Sequence, residues 1–534
     1  MKKLFLFALL ASHVYAFIDF DLSCCQQEII QESNSSSFKN PYKVNAFYQK
    51  YQQKLHWDSQ DLSDLLIAAR NPMINYLSLD YGQDEIEELM ESIDIHDDLE
   101  QKRIRAQIDL LATDAFFSFS HDLSVGLIDW GKFQAQLKES EIDLVWEKNP
   151  KVFHYDDDLH LALKSNMLEV LFQRYLPLED EYRKLVQAYH RYSDISFPVV
   201  DYGKLMKVGD YGYRASQLKF YLTSTGDLKK IDKNYMEFPT FDEKLERALK
   251  RFQKRHYLKE TGELDRVTVL YTRKSVEEKR ELIKLNIERH KLFAKIYDSE
   301  YIIINIPEFS LKYFKNRTLI DDIFVVVGRE DRPTPIFSDI LEYLVLNPSW
   351  IVPQGLMRKD YIPKLVANPN ALIEEHIHIH QKPSRYSPKI DPKNVNWEQY
   401  LAEGRGIPYY FMQYPGEDNV LGQMKFIFPN KYNVYLHDTN SKSLTTQKYR
   451  LYSSGCLRLA KPYDLLHLLS EHTKYTEDEL VDLIDANKTM NVSLKKKIPI
   501  HIQYFTVFTD NNSTPSFRKD FYGIDTLQLK AMQK

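Results

Sequence analysis

Apolar residues recur at helical spacing through the first half of the chain. Ile86, Leu89, Met90 and Ile93 fall at i, i+3, i+4 and i+7, and Arg105 to Phe119 repeats similar spacing. Glycine is sparse from about 41 to 235 and no run alternates with period two, so a mainly α-helical domain is predicted there. A shorter unit follows. Thr240 and Glu243 form a capping-box pair, and Leu245, Ala248, Leu249 and Phe252 then share one helical face. That helix ends before Gly262, and Leu264, Val267 and Leu270 begin a second apolar pattern. A helix rich in Glu, Lys and Arg is predicted over about 276–296.

Beyond residue 300 the period changes. Tyr301–Ile306, Ile323–Val327, Met424–Phe428, Val434–Leu436 and Ile498–Phe508 are short β-branched or aromatic runs, bounded by turn formers such as Pro307, Gly328, Pro429 and Asn430. The pattern breaks between about 351 and 418, where Pro353, Pro363, Pro383 and Pro388 punctuate a mixed stretch; so long an interruption reads as a lid or binding insertion. The expected architecture is multi-domain α+β: a helical domain at 41–239, a small helical module at 240–275, a connecting helix at 276–299, and a mostly β module at 300–534.

Composition adds bounds. The chain has 534 residues, enough for about three or four domains, with 28% charged and 43% hydrophobic residues. A net charge of −5 gives no basic footprint for nucleic acid, and no later segment reaches the ~20 apolar residues of a membrane-spanning helix. Lys2 and Lys3, the apolar stretch Leu4–Leu10 and the small-residue site Val14-Tyr15-Ala16 predict a signal peptide over 1–16. Export, most simply to a periplasm, is the expectation, with residues 17–40 disordered. Asp21-Leu22-Ser23 before Cys24 fits a lipid-attachment site poorly.

Only three cysteines are present. Cys24 and Cys25 are adjacent, and either can pair with the other or with another chain. Cys456 is then a lone thiol in an oxidising compartment, a liability more readily retained if the thiol does chemistry. A thiol needs a base, because the thiolate is the nucleophile, and His437 precedes it by nineteen positions at a strand end. Gly455 permits a tight turn whose amide N–H groups can face an oxyanion.

The strings Phe428-Pro-Asn-Lys-Tyr-Asn-Val-Tyr-Leu-His-Asp-Thr439 and Ser453-Ser-Gly-Cys-Leu-Arg-Leu459 closely resemble the signature of the L,D-transpeptidase catalytic domain. Many members of that family have His directly before Gly-Cys and Asn two residues after the Cys; Ser454 and Arg458 stand there in this chain, a variant similar to the large Gram-negative branch. Asn305-Ile-Pro307, Val326-Val-Gly-Arg329, Thr334-Pro335, Glu342-Tyr343, Asn347-Pro348, Ile498-Pro499 and Asp520-Phe-Tyr-Gly523 resemble further landmarks of that branch. Residues 240–270 are similar to a peptidoglycan-binding module, and Leu110-Leu-Ala-Thr-Asp-Ala115 to the scaffold preceding it.

The resemblance implies a cell-wall enzyme. Cys456 would attack the L-to-D linkage of a tetrapeptide donor stem, release D-alanine and form a thioester, which an acceptor stem amine resolves into a 3→3 cross-link. His437 would be the base, oriented by the Asp438 main-chain carbonyl, with amides near Gly455 and Cys456 as the oxyanion site. Ser453, Ser454, Arg458 and Tyr435 are the substrate-site candidates: Ser453 and Ser454 as donor-site lining or as turn hydrogen-bonders, Arg458 as a carboxylate partner or a structural ion pair, Tyr435 more readily as packing. No cofactor is expected. His376, His378 and His380 would share a face in a strand and could hold zinc, but no fourth ligand is evident, and no metal is assigned. A stem-trimming carboxypeptidase or a non-catalytic wall-binding scaffold are the alternative functions.

Overall fold

A computed structural model describes residues 25, 28–29, 38–93, 97–149, 152–177, 179–229, 233–293, 299–402 and 404–533. The expected signal peptide and most of 17–40 lie outside these residues. Cys25 is disulfide-bonded, whereas Cys456 is a free thiol.

The N-terminal half is helical, around the 27-residue helix Asp98–Ser124. Asp97 caps its start by accepting from the Glu100 N–H, and Ile104, Ile108, Phe116 and Phe119 carry its buried face. Asp109 is also buried in this helix, yet its carboxylate is satisfied: it accepts from Tyr48 Oη and from the His56 and Trp57 amides at 2.8 and 2.9 Å. That polar knot fixes the 48–57 segment on the bundle.

The small helical module is larger than its amphipathic stretch suggests. Its core runs from Val200 to Val269 and joins helix Tyr213–Ser224, through Leu218 and Tyr221, to helix Glu243–Arg255, through Leu245, Leu249 and Phe252. The N-cap of the latter is Asp242, accepting from the Leu245 N–H, and not the expected Thr240. An aspartate one residue before the helix reaches the free amides directly, so the Thr240–Glu243 spacing is incidental.

Helix Val276–His290 opens on a Ser275/Glu278 capping box and joins the two larger cores. Leu282, Ile283 and Ile287 enter the helical-domain core and Leu285 the β-domain core. Beside them Arg289 is fully buried: it pairs with Asp525 at 2.7 Å and donates to Gln528 Oε1 at 2.7 Å and Thr506 Oγ1 at 3.2 Å.

The C-terminal module is built on strands β1 (Glu300–Asn305), β2 (Ser310–Lys315), β3 (Thr318–Gly328), β4 (Ser338–Leu346), β5 (Trp350–Ile351), β6 (His378–His380), β7 (Tyr410–Gln413), β8 (Met424–Ile427), β9 (Leu436–His437), β10 (Leu451–Ser453), β11 (Leu457–Leu459) and β12 (Met490–Gln503). The main sheet runs β3-β11-β9-β8-β4-β12-β1-β2, and β2 pairs back onto β3, so it closes as a barrel with β10 appended to β3. Leu344, Phe426, Leu436, Leu457 and Leu459 fill the interior. β2 and β4 were not anticipated. In β4 the apolar positions Leu341, Leu344 and Leu346 are not in strict alternation, and a bulge in its pairing with β12 between Ser493 and Ile498 absorbs the mismatch. The 351–418 interruption has a core of its own, including Met357, Ile362, Leu365, Trp397 and Phe411, beside a three-stranded sheet β5-β7-β6.

Removing one partner of the buried Arg289–Asp525 pair leaves an uncompensated charge between the domains. Arg289→Met is expected to lower unfolding stability by about 3–5 kcal/mol, measured by denaturant titration.

Candidate active site

Register on the barrel wall assembles the candidate site. β11 runs parallel to β9 with Arg458 opposite His437, and β8 runs antiparallel to β9 with Lys425 opposite His437. Residues directly opposite one another share a face, so Lys425, His437 and Arg458 form one row. Leu436 and Leu457, one position along each strand, point into the barrel core; the row therefore lies on its outer face. Tyr435 and Cys456 continue that face at the start of the two strands. The Lys425 ammonium sits 3.8 Å from the centre of the Tyr435 ring, and the Tyr435 ring lies 5.7 Å from that of His437.

His437 is buried, and its Nδ1 lies 2.5 Å from the Asp438 main-chain oxygen. A carbonyl only accepts, so Nδ1 carries the proton and Nε2 is left as the basic nitrogen. Asp438 is itself anchored: its carboxylate accepts from the Gln423 N–H at 3.0 Å and pairs with Lys442, while its own N–H donates to the Met424 carbonyl at 2.9 Å. Burial, with the nearby Arg458 and Lys425 charges, lowers the His437 pKa to about 3, so the imidazole rests neutral.

The turn that carries Cys456 is held from within. Ser453 is buried; its hydroxyl donates to the Cys456 carbonyl at 2.6 Å and accepts from the Gly455 N–H at 3.1 Å. Gly455 has φ +113°, a region that side chains disfavour. Its carbonyl accepts from Thr334 Oγ1 at 2.9 Å, and the same hydroxyl accepts from the Gly328 N–H at 2.9 Å. Tyr522 Oη accepts from the Thr334 N–H at 3.1 Å and donates to the Gly328 carbonyl at 2.8 Å. Thr334 and Tyr522 are thus supports of the turn.

Cys456 keeps intermediate exposure although protein crowds its sulfur. Its Sγ donates to the Asn433 carbonyl at 3.8 Å. Burial raises the thiol pKa, opposed by hydrogen bonds from Tyr435 and by the Lys425 and Arg458 charges. With the thiol raised and the imidazole lowered, the resting pair is neutral.

Sequence reasoning missed the contacts that tie this site to the insertion. Trp350 hydrogen-bonds Tyr435, and Tyr435 packs against the core of the insertion. Arg332 pairs with Asp360 of the insertion through both terminal nitrogens, each at 2.6 Å, and reaches Ser454 Oγ at 3.2 Å. Arg458 has no carboxylate among the charges acting on it, and its buried Nε has no partner among the described residues. Of the three histidines, His376 lies outside the strand, 3.4 Å from Asp418; His378 stacks on Tyr414; and His380 is buried with Nδ1 and Nε2 bonded to the Ser387 carbonyl and Tyr414 Oη. The strand face expected for all three is therefore broken, because His376 sits in a turn with φ +53°.

A closed barrel with Cys456, His437 and Arg458 on its outer wall under a folded insertion defines a class of enzyme domain, and the comparisons with known proteins specify it. Residues 299–477 match the family model of the L,D-transpeptidase catalytic domain, YkuD; residues 42–188 match the scaffold domain, and 215–269 the "Putative peptidoglycan binding domain". The chain thus resembles L,D-transpeptidases in its catalytic module, with matches to a scaffold and a peptidoglycan-binding domain ahead of it. A Haemophilus influenzae protein described as a "Putative L,D-transpeptidase" is 30% identical over 243 residues, 46% of this chain and 48% of the relative, so the match spans about half the relative's length. The crystal structure of an L,D-transpeptidase from Stackebrandtia nassauensis is 12% identical, covering 58% of this chain and 97% of that one at a TM-score of 0.20. An L,D-transpeptidase from Mycobacterium smegmatis is 12% identical, covering 39% and 61% at a TM-score of 0.18.

A neutral thiol with a raised pKa gains reactivity only as the bulk solution ionises it. The rate of Cys456 alkylation by iodoacetamide is expected to climb about tenfold per pH unit up to and beyond pH 9. A plateau reached below pH 7 would instead report a preformed thiolate–imidazolium pair.

Proposed function

We propose that the protein is a cell-wall L,D-transpeptidase that forms 3→3 cross-links through a thioester on Cys456. The observation that carries this reading is the orientation of His437 by the Asp438 carbonyl, which leaves Nε2 unprotonated on the face that also bears Cys456. On substrate binding the thiol leaves the Asn433 carbonyl and gives its proton to His437 Nε2. Sγ attacks the carbonyl carbon of the L-to-D linkage, and the carbonyl oxygen becomes an oxyanion. The Gly455 N–H is engaged by Ser453, so the Cys456 N–H is the proposed oxyanion donor. As the C–N bond breaks, His437 returns the proton to the departing D-alanine amine. The acceptor amine then attacks the thioester carbon and loses a proton to His437; the C–S bond breaks and the thiol is regenerated. Arg458, on the same face and with no carboxylate partner among the described residues, is proposed to hold a stem carboxylate. Ser454, through its contact with Arg332, is proposed at the border between site and insertion.

The test is muropeptide analysis of purified sacculi treated with the enzyme. Tetrapeptide stems are expected to yield 3→3 dimers and free D-alanine, with Cys456→Ala producing neither. Shortened monomers alone would point to a carboxypeptidase, and a Cys456 that takes no covalent adduct with imipenem would point to a non-catalytic scaffold.

The insertion is proposed to close over the donor stem. Its clasp is the Arg332–Asp360 pair, partly shielded from solvent, so Asp360→Ala is expected to raise KM for the donor about fivefold and to speed iodoacetamide access to Cys456. Unchanged values of both would remove the lid role.

A further inference from the structure

The segment between the scaffold and the peptidoglycan-binding domain exposes an unusual amount of aromatic surface. Tyr211 and Tyr213 are each 72% exposed, and Leu205 and Tyr202 are about half exposed. Scattered exposed apolar residues are ordinary; a contiguous group marks a binding surface. These residues are also organised. Tyr202, Tyr211 and Tyr213 line one open cleft of about 510 Å³ together with Asp201, Asp210 and Arg214, within the range of small-ligand clefts.

The floor of this cleft is built for a polar group. Arg214 donates from Nε to the Asp201 carbonyl at 2.8 Å and from Nη1 to the Lys204 carbonyl at 2.6 Å, while its buried Nη2 has no partner among the described residues. Gly203 makes this arrangement possible: a Cβ there would lie 2.6 Å from Arg214 Nη1. The Arg273 guanidinium stacks on the Tyr202 ring at 4.6 Å and steadies it.

A ligand for this cleft must present flat apolar faces to three tyrosines and hydrogen-bonding groups to Arg214 and two carboxylates. Among the lining charges Lys204 and Arg214 are offset by Asp201 and Asp210, so the lining lacks the one-sided basic charge that would select an anionic membrane. Pyranose rings combine axial C–H faces with peripheral hydroxyl and amide groups, and they meet these demands. The segment also adjoins the matched peptidoglycan-binding residues: Met206 bridges Leu264, Tyr211 bridges Thr240, and the Gly212 N–H donates to the Pro239 carbonyl at 2.8 Å.

We propose that residues 201–214 form a glycan-binding cleft that seats the N-acetylated sugar backbone of peptidoglycan. This rests on the cell-wall reading above but not on the chemistry of Cys456. Seated there, a sugar chain would tether the enzyme to the strand whose stems it processes.

The test uses the full chain and glycan strands freed of stem peptides by amidase digestion. Tyr211→Ala/Tyr213→Ala is expected to weaken binding to these strands about tenfold, with melting temperature and imipenem labelling of Cys456 unchanged. Tyr211→Phe/Tyr213→Phe, which keeps the rings, is expected to retain most of the binding. Equal affinity of the alanine variant and the parent protein for stem-free strands overturns the proposal, as does parent protein that binds only stem-bearing sacculi or only anionic phospholipid vesicles. Loss of imipenem labelling in the parent protein, with glycan binding intact, would remove the catalytic reading and leave the cleft standing.

Discussion

Strands of two and three residues cannot hold a register by themselves. β9 and β11 hold theirs because each lies between neighbours in a closed barrel, and because Leu436, Leu457 and Leu459 are anchored in its interior. A slip of one residue would turn His437 and Arg458 inward and expose the leucines. Apolar packing inside the barrel therefore determines where the chemistry appears outside it. The site is an outward projection of the core, and its precision comes from leucines that never meet a substrate.

The same wall explains the protonation states. His437 is buried and protein crowds the Cys456 sulfur, and burial favours the neutral form of each. Fixed partners compensate: the Asp438 carbonyl selects the tautomer, and Lys425 and Arg458 favour a thiolate once it forms. Ser453, Thr334 and Tyr522 add a hydrogen-bonded frame that holds the Gly455 turn.

Helix Val276–His290 plays the corresponding part between domains. Its apolar residues enter two cores and its Arg289 reaches Asp525, so the helical half and the barrel share one buried element. A glycan seated at 201–214 would thus be joined to the catalytic wall through packed structure and not through a flexible tether.

Much of this was legible in the residues. Helical periodicity located the bundle, the run Leu245, Ala248, Leu249 and Phe252 located the small module, and Cys456, Gly455 and His437 were found by the scarcity of cysteine and by their local strings. Local signals failed where long-range pairing decides. β2 and β4 become strands because the barrel supplies partners, and the core beginning at Val200 extends the small module beyond its own amphipathic stretch. Ser453 read either as a donor-site contact or as a turn hydrogen-bonder, and its hydroxyl bonds within the turn. The sequence by itself determined which reactive side chains are available, since chemistry follows residue type. Only the tertiary structure decided that Lys425 and Arg458 flank His437, that Arg332 meets Asp360, and that three tyrosines line one cleft. Those contacts join positions far apart in the chain, and no local pattern encodes the distance between them.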